Sequence, residues 1–409
     1  MKDLMARKLP PIWLQVLTAL GLGFVTGLLV PEYTEWWSWL GDLFIGLLKM
    51  LATPLILVSI ISGIASLGTL DRLGTMGLKA VSLYLMTTAI AIPIGLAAAL
   101  LIAPGVGFDQ AVTSTPDPVP PSAINPLDWL PQNPFAALVD GDPLQVIVLS
   151  ILVGVGCTLA GSAAKPLVDA INGLSAVIYA ITDVVVKLAP LGVFALASVV
   201  TATFGSDVLL PVLKLVTTVY LGCLIHVYGG LSLLVRLFTE LSVIQFWRGV
   251  LEAQVVAFST TTAAGTLPVT MSCVRHNLGV GEEVARFVLP VGTTINMDGT
   301  ALYQAVVAVF VAQMFGIVLG PADYITIAVT CLLASIGAAA IPGGGLVVLS
   351  IVLSSVGLPL EAIGLVAGVD RILDMARTAT NVSGDAAVTT IVAHSEDQLS
   401  KEIYDAPAE

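Results

Sequence analysis

Charge is what this sequence has least of. Of 409 residues only 16 are Lys or Arg and 28 are Asp or Glu, 11% together, against roughly 25% in an average soluble domain. So few charges cannot cover a water-facing surface around a chain that is 57% apolar with a mean hydropathy of +0.98. A multidomain soluble enzyme, a disordered chain and a collagen-like chain are excluded on this ground. Basic groups are scarcer still: a net charge of -12 offers no basic face to phosphates and excludes a nucleic-acid binder. Cys157, Cys223, Cys273 and Cys331 stand far apart with no C-x-x-C and no Cys/His metal spacing, so they read as small buried hydrophobes. What remains is an all-α polytopic membrane protein.

Long apolar runs are abundant. Stretches of about 20 such residues cross a hydrocarbon core, and candidates run over 12–30, 40–67, 77–103, 144–161, 167–200 and 209–237. The first run is long enough to stay in the bilayer and no cleavage site follows it, so no signal peptide is expected. Lys2, Arg7 and Lys8 precede the first span, Arg72 and Lys79 follow the second, Lys165 the fourth, and Arg236 and Arg248 the sixth. The intervening connections 31–39, 104–143 and 203–207 hold no Lys or Arg. Positive charge stays on the cytoplasmic side, which predicts a cytoplasmic N-terminus. Segment 104–143 carries nine of the 23 prolines and reads as an extracytoplasmic crossover. The acidic end, 396–409, reads as a solvated cytoplasmic tail.

Two later segments are unsuited to straight lipid-facing helices. Phe258 to Thr270 sets four Ser or Thr before Gly265 and a fifth before Pro268, and Ser335 to Gly345 carries four Gly and a Pro. Both free backbone groups that hydrocarbon cannot satisfy, so each must be buried in protein or line a cavity. Such a pair points to a transporter binding site between inverted repeats. Each precedes a span with polar groups at membrane depth: Leu289 to Thr300, and Asp370 to Asp385. At about 100° per residue, Asp370, Asp374, Arg377, Thr378, Asn381 and Asp385 fall within one arc of about 100°. Intramembrane ionisable groups are costly and are read as functional by default.

The charges near this face do not cancel. Asp298, Asp370, Asp374 and Asp385 set four negatives against the two positives of Arg371 and Arg377. A buried site cannot carry that excess uncompensated, so cations are expected to enter with a substrate. Carboxylate, amide, hydroxyl and carbonyl oxygens are hard ligands that favour Na+ over transition metals. An Arg on the same face suits a carboxylate, bound bidentately, and an Asp suits an amine.

Gly265-Thr-Leu-Pro-Val-Thr270, Asn296-Met-Asp-Gly-Thr-Ala-Leu-Tyr303, the Pro342-Gly-Gly-Gly345 tip and Asp374 to Asp385 closely resemble the glutamate/aspartate transporter family, the dicarboxylate/amino acid:cation symporters. The resemblance runs from the second span to His394. It implies eight transmembrane helices, two re-entrant helical hairpins with inverted repeats, and a homotrimer working by an elevator motion in a prokaryotic inner membrane, with both termini cytoplasmic. Scaffold helices would occupy 1–76, a first transport-domain helix 77–103, the crossover and further scaffold 104–206, and the transport domain 207–395. In the last, hairpin 1 is expected at about 243–277, helix 7 at 284–315, hairpin 2 at 323–357 and helix 8 at 360–395, before the tail at 396–409. The resemblance assigns Arg377 to the side-chain carboxylate of an acidic amino acid, and Asp374 and Thr378 to its amino group. Asn381 and the hairpin main chain (Thr262, Ala263, Ala264, Ile341, Gly345) would take its α-carboxylate, and Thr300 would line the pocket. One sodium site would use Asn296, Asp385 and the carbonyls of Gly292 and Asn381. A second would use Asp298 and Asn296 with Tyr84, Thr87 and Thr88, and a third the carbonyls of Thr294, Ser335, Ile336 and Ala338. Asp370, Arg371 and Met297 would support these groups, and Pro342, Gly343 and Gly344 would form the outer gate.

The departures are informative. Archaeal relatives often carry an arginine where Thr261 stands, while Arg371 follows Asp370 as in animal members. Ala263 and Ala264 replace serines, Ala338 replaces a threonine, and Gln304 stands where proton-coupled animal members have a glutamate, which argues against proton coupling. Arg377 disfavours a neutral amino-acid carrier and Asp374 a C4-dicarboxylate carrier of the same fold. An intramembrane aspartyl protease would need Tyr-Asp within a span, and a channel gains nothing from an Arg matched to one carboxylate. His226, in an apolar span without a Ser partner, reads as a packed or interfacial residue.

Overall fold

The structure is a computed structural model of the monomer. It describes residues 12–65, 70–107, 130–141, 143–336 and 344–405. The crossover at 108–129, the N-terminal basic residues, Ala338, the substrate-binding candidate Ile341 and the gate residues Pro342 and Gly343 lie outside the described residues.

Among the described residues the secondary structure is helical apart from one isolated bridge. In chain order the first helices are α1 (Ile12–Leu29), α2 (Glu35–Ala65), α3 (Leu70–Ile102), α4 (Pro134–Asp140), α5 (Pro143–Ala160) and α6 (Lys165–Phe204). There follow α7 (Leu209–Ile225), α8 (Ser232–Thr239), α9 (Val243–Thr260), α10 (Ala263–Ser272), α11 (Glu282–Ile295) and α12 (Asp298–Met314). The chain closes with α13 (Pro321–Ile336), α14 (Gly344–Ser355), α15 (Ile363–Ser395) and α16 (Lys401–Tyr404). Among the described residues five stretches are long and apolar enough to cross a membrane, Glu35–Ala65, Thr75–Ile102, Gln145–Thr182, Leu209–Thr239 and Glu282–Met314. The expected spans are therefore present as helices, several with ends that run further. α2 starts five residues earlier than its apolar run because Glu35 occupies its first turn, where a carboxylate meets the positive end of the helix dipole. Trp36 and Trp39 beside it are exposed, as residues of an interfacial aromatic belt are.

Two groups of helices pack among themselves. α1, α2, α5 and α6 form one, with Trp37 Nε1 donating to Ser198 Oγ (2.7 Å) between α2 and α6. α3 and α7 to α15 form the other, around α12. Nearly every residue of α12 is buried, apolar for the most part, with the polar Asp298, Thr300 and Gln304 near its start buried as well. α14 and α15 touch α2 and α6 across the seam between the groups.

Three irregularities shape the second group. Between α9 and α10, Thr261 takes φ 56, a left-handed conformation uncommon for a branched residue. Thr262 then caps α10 by accepting from the Gly265 N–H (3.2 Å), so the Ser/Thr run makes the expected helix–turn–helix. Between α11 and α12 the helix opens at Asn296 and Met297. Between α7 and α8 a π turn runs over His226–Leu231.

The C-terminal segment departs from the solvated tail expected for it. Val280 bridges Leu399, Ser400 N–H donates to the Gly279 carbonyl (2.8 Å) and Gly281 N–H to the Gln398 carbonyl (2.8 Å). Tyr404, 1% exposed, joins a core cluster with Phe246 and donates to the Ser242 carbonyl (2.9 Å). One large aromatic at a suitable distance along an acidic stretch is enough to convert a tail into a strap across the bases of α9 and α11.

Candidate functional site

The polar stripe of α15 faces inward. Asp370, Asp374, Thr378, Asn381 and Asp385 are 1% to 8% exposed, and Arg377 is 1% exposed despite its size. Arg371, Ile372, Met375 and Ala379 form the less buried side, and among the described residues no carboxylate comes within ion-pair reach of Arg371.

Arg377 is the hub. Its Nη1 donates to Asp370 Oδ1 (2.9 Å) and its Nη2 to Asp374 Oδ1 (2.8 Å), while the guanidinium lies over the Tyr303 ring at 4.3 Å from the centroid. Its Nε has no partner among the described residues. Gly345, in the first turn of α14, approaches so closely that a Cβ there would lie 2.6 Å from Nη1. Two positive ends, a guanidinium and a helix N-terminus, thus meet, and each by itself favours an anion. Thr378 Oγ1 sits 3.5 Å from Asp374 Oδ1. Asn381 Oδ1 accepts from the Gly299 N–H (2.8 Å), and its Nδ2 makes longer contacts with Met297 Sδ (3.2 Å) and Thr300 Oγ1 (3.4 Å).

A cluster of oxygens adjoins these residues at the opening between α11 and α12. Asn296 Nδ2 donates to Asp385 Oδ1 (3.0 Å) and to the Asn381 carbonyl (3.3 Å). Asn296 N–H donates to the Gly292 carbonyl (2.8 Å). Thr87 Oγ1 reaches Asn296 Oδ1 and Asp298 Oδ1 (both 3.1 Å), and Thr88 Oγ1 reaches Asp298 Oδ1 (2.7 Å). Both hydroxyls also lie near the Tyr84 carbonyl, at 2.9 and 3.0 Å, and Tyr84 donates its own hydroxyl to the Val288 carbonyl (2.9 Å). Gly384 is required for the approach of α15, because a Cβ there would lie 2.5 Å from Asn296 Nδ2 and 2.7 Å from Asp298 Oδ2. Buried carboxylates whose neighbours are amide, hydroxyl and carbonyl oxygens suit a hard monovalent or divalent cation by donor chemistry.

Other expected residues are less tied to this centre. Ala263 packs with Ala253, Ala257 and Val382, Ala264 is exposed, and Thr262 serves as the α10 cap. Thr294 turns its methyl toward Gly63 of α2, Ser335 bonds the Leu332 carbonyl (2.8 Å), and Ile336 lies against two apolar clusters. Their carbonyls are the groups invoked for a third cation, together with Ala338, outside the described residues.

Sequence reasoning missed two contacts. Tyr303 was quoted within a motif but carries the cation–π contact to Arg377, and its position on α12 was the only available signal. His226, read as a packed residue, is fully buried with Nε2 3.1 Å from Asp298 Oδ2. A lone His in an apolar span gives no indication of a partner 72 residues away.

The sodium:dicarboxylate symporter family model matches residues 12–395. The chain is 33% identical over 410 residues to the proton/sodium-glutamate symport protein of Geobacillus stearothermophilus, covering 97% of each chain. It is 34% identical over 409 residues to the proton/glutamate-aspartate symporter of Escherichia coli, covering 95% of this chain and 93% of that one. It is 32% identical over 397 residues to the C4-dicarboxylate transport protein of Bacillus subtilis, covering 95% and 94%. With its apolar helices and a match over nearly its whole length, this multi-pass membrane protein belongs to the sodium:dicarboxylate symporter family.

Proposed function

We propose that the chain is a sodium-coupled symporter of acidic amino acids, aspartate or glutamate, that carries its cargo across the cell membrane without chemical change. The observation that carries this reading is the Arg377 guanidinium, buried between Asp370 and Asp374 over Tyr303 and next to the oxygens of Asn296, Asp298 and Asp385. An amino diacid matches that arrangement. Its side-chain carboxylate takes Arg377 bidentately, its ammonium takes Asp374 and Thr378, and its α-carboxylate takes Asn381 with the backbone N–H groups of the hairpin tips. Arg377 is already neutralised by two carboxylates, so the arriving diacid competes with them; sodium ions at the oxygen cluster offset the negative charge.

The division into two helix groups supports an elevator cycle, in which α3 and α7 to α15 move as the transport domain past a scaffold of α1, α2, α5 and α6. In that cycle α9–α10 and α13–α14 are the re-entrant hairpins, α14 and the tip before it forming the outer gate, and the assembly is a homotrimer in the inner membrane with cytoplasmic termini. Relatives are named for glutamate and for glutamate-aspartate. Some of those names also include the proton, but Gln304 in place of an acid supports sodium here.

A C4-dicarboxylate is the second reading, favoured by the B. subtilis relative and by Asp374 already accepting from Arg377. Uptake of [³H]aspartate into proteoliposomes, with and without a sodium gradient and competed by serine and by succinate, separates the readings. Sodium-dependent aspartate uptake insensitive to serine is expected. Succinate uptake with no aspartate uptake would transfer the assignment to dicarboxylates, and uptake indifferent to sodium would remove the coupling ion.

A further inference from the structure

His226 opens the π turn after α7 and is fully buried. Such turns seat an extra residue in a helix and often accompany functional sites. A Cβ on Gly230 would lie 3.1 Å from Nδ1, so the ring is held close against the backbone of its own turn. Asp298 receives three donors: Thr87 (3.1 Å) and Thr88 (2.7 Å) on Oδ1, and His226 Nε2 (3.1 Å) on Oδ2.

These donors are not equivalent. Each threonine hydroxyl has the Tyr84 carbonyl as a second acceptor, so its hydrogen can turn away from Asp298 and leave a lone pair facing a cation. An imidazole N–H has no such freedom, since its hydrogen is fixed in the ring plane. The carboxylate oxygen opposite places that hydrogen on Nε2, and Nδ1 is left without a partner among the described residues.

We propose that His226 is a positioning residue for the sodium step. Its Nε2–H holds Asp298 Oδ2 permanently, so that Oδ1 stays aimed at Thr87, Thr88 and Asn296, where the cation is received as the hydroxyls turn. This rests on Asp298 being a sodium ligand, as proposed above.

The test uses purified full-length protein and two readouts, thermal stabilisation by NaCl alone against choline chloride, and aspartate binding at saturating sodium. His226→Leu keeps the volume and removes the donor. It should raise the sodium concentration for half-maximal stabilisation by about 10- to 100-fold, the usual effect of losing a partner behind a metal ligand, with aspartate affinity at saturating sodium little changed. His226→Gln, which returns an amide N–H near the Nε2 position, should restore the sodium response. If the leucine variant does not purify folded, His226→Asn, whose shorter amide cannot reach Oδ2, replaces it. An unchanged sodium response in the donor-less variant, or a glutamine variant as impaired as it, overturns the proposal. Asp298→Asn separates the two levels. If it leaves the sodium response intact, the sodium site itself is wrong; if it abolishes the response while His226→Leu does not, only the positioning role is.

Discussion

Replacing Arg377 by Cys tests the centre of the site and has two separable consequences. The guanidinium donates to Asp370 (2.9 Å) and Asp374 (2.8 Å), carboxylates 6% and 8% exposed. Its loss leaves both without a counter-charge, and breaking a buried pair from one side costs about 3–5 kcal/mol. Binding suffers separately. Two charge-assisted bonds of about 1.5–3 kcal/mol each amount to roughly a hundred- to ten-thousandfold in aspartate affinity at 1.4 kcal/mol per tenfold. Adding Asp370→Asn to Arg377→Cys removes one uncompensated charge, so it should recover part of the stability while the affinity stays low. Thermal unfolding and [³H]aspartate binding at saturating sodium, measured on wild type, single and double variants, resolve the two effects, and serine should compete better in both variants. If aspartate affinity in Arg377→Cys stays within about threefold of wild type, less than 1 kcal/mol on that scale, or returns together with stability in the double variant, Arg377 is a structural ion-pair partner and the substrate reading fails.

Two further outcomes follow from close contacts elsewhere. Gly384→Ala leaves every oxygen ligand in place but puts a methyl 2.5 Å from Asn296 Nδ2; overpacking of about 1–3 kcal/mol should raise the sodium requirement for aspartate binding, and a variant with wild-type sodium dependence would contradict the placement of α15 against that cluster. Tyr404→Ala should destabilise the strap by about 3–5 kcal/mol as a lost buried aromatic and expose 396–405 to proteolysis, whereas Tyr404→Phe, losing only the hydroxyl bond, should cost about 1 kcal/mol; equal effects would refute the packing. Burial, and secondarily the charge of Asp405, raise the Tyr404 phenol above its ordinary range. The strap's stability is therefore complete below the unfolded value of about 10 and lost as pH rises toward the folded one, an alkaline loss that Tyr404→Phe should lack in proteolysis of the C-terminal segment.

Much of the site was legible because helical periodicity is a local property. Asp370 to Asp385 share one face at a fixed angle per residue, and that face proved to be the buried one. The break at Thr261 was legible for the same reason: Gly, Pro and short polar residues weaken helices where they stand. The opening at Asn296–Met297, inside the single helix expected over 284–315, was not. The strap at 396–405 was not, because an acidic stretch looks solvated until a groove for its single aromatic is known.

By itself the sequence determined the helical class, the membrane setting and the composition of the polar stripe, since scarcity of charge and hydrophobic period act through water and lipid, without regard to which helix lies beside which. Only the tertiary structure decided that Arg377 is shared between Asp370 and Asp374 over Tyr303 and that a π turn brings His226 to Asp298; the grouping of Thr87 and Thr88 with that carboxylate, implied by the family resemblance, follows in space from the packing of α3. Those pairings join residues up to some two hundred positions apart, and hydrogen bonds act over about 3 Å. No local pattern encodes such a distance until packing has set it.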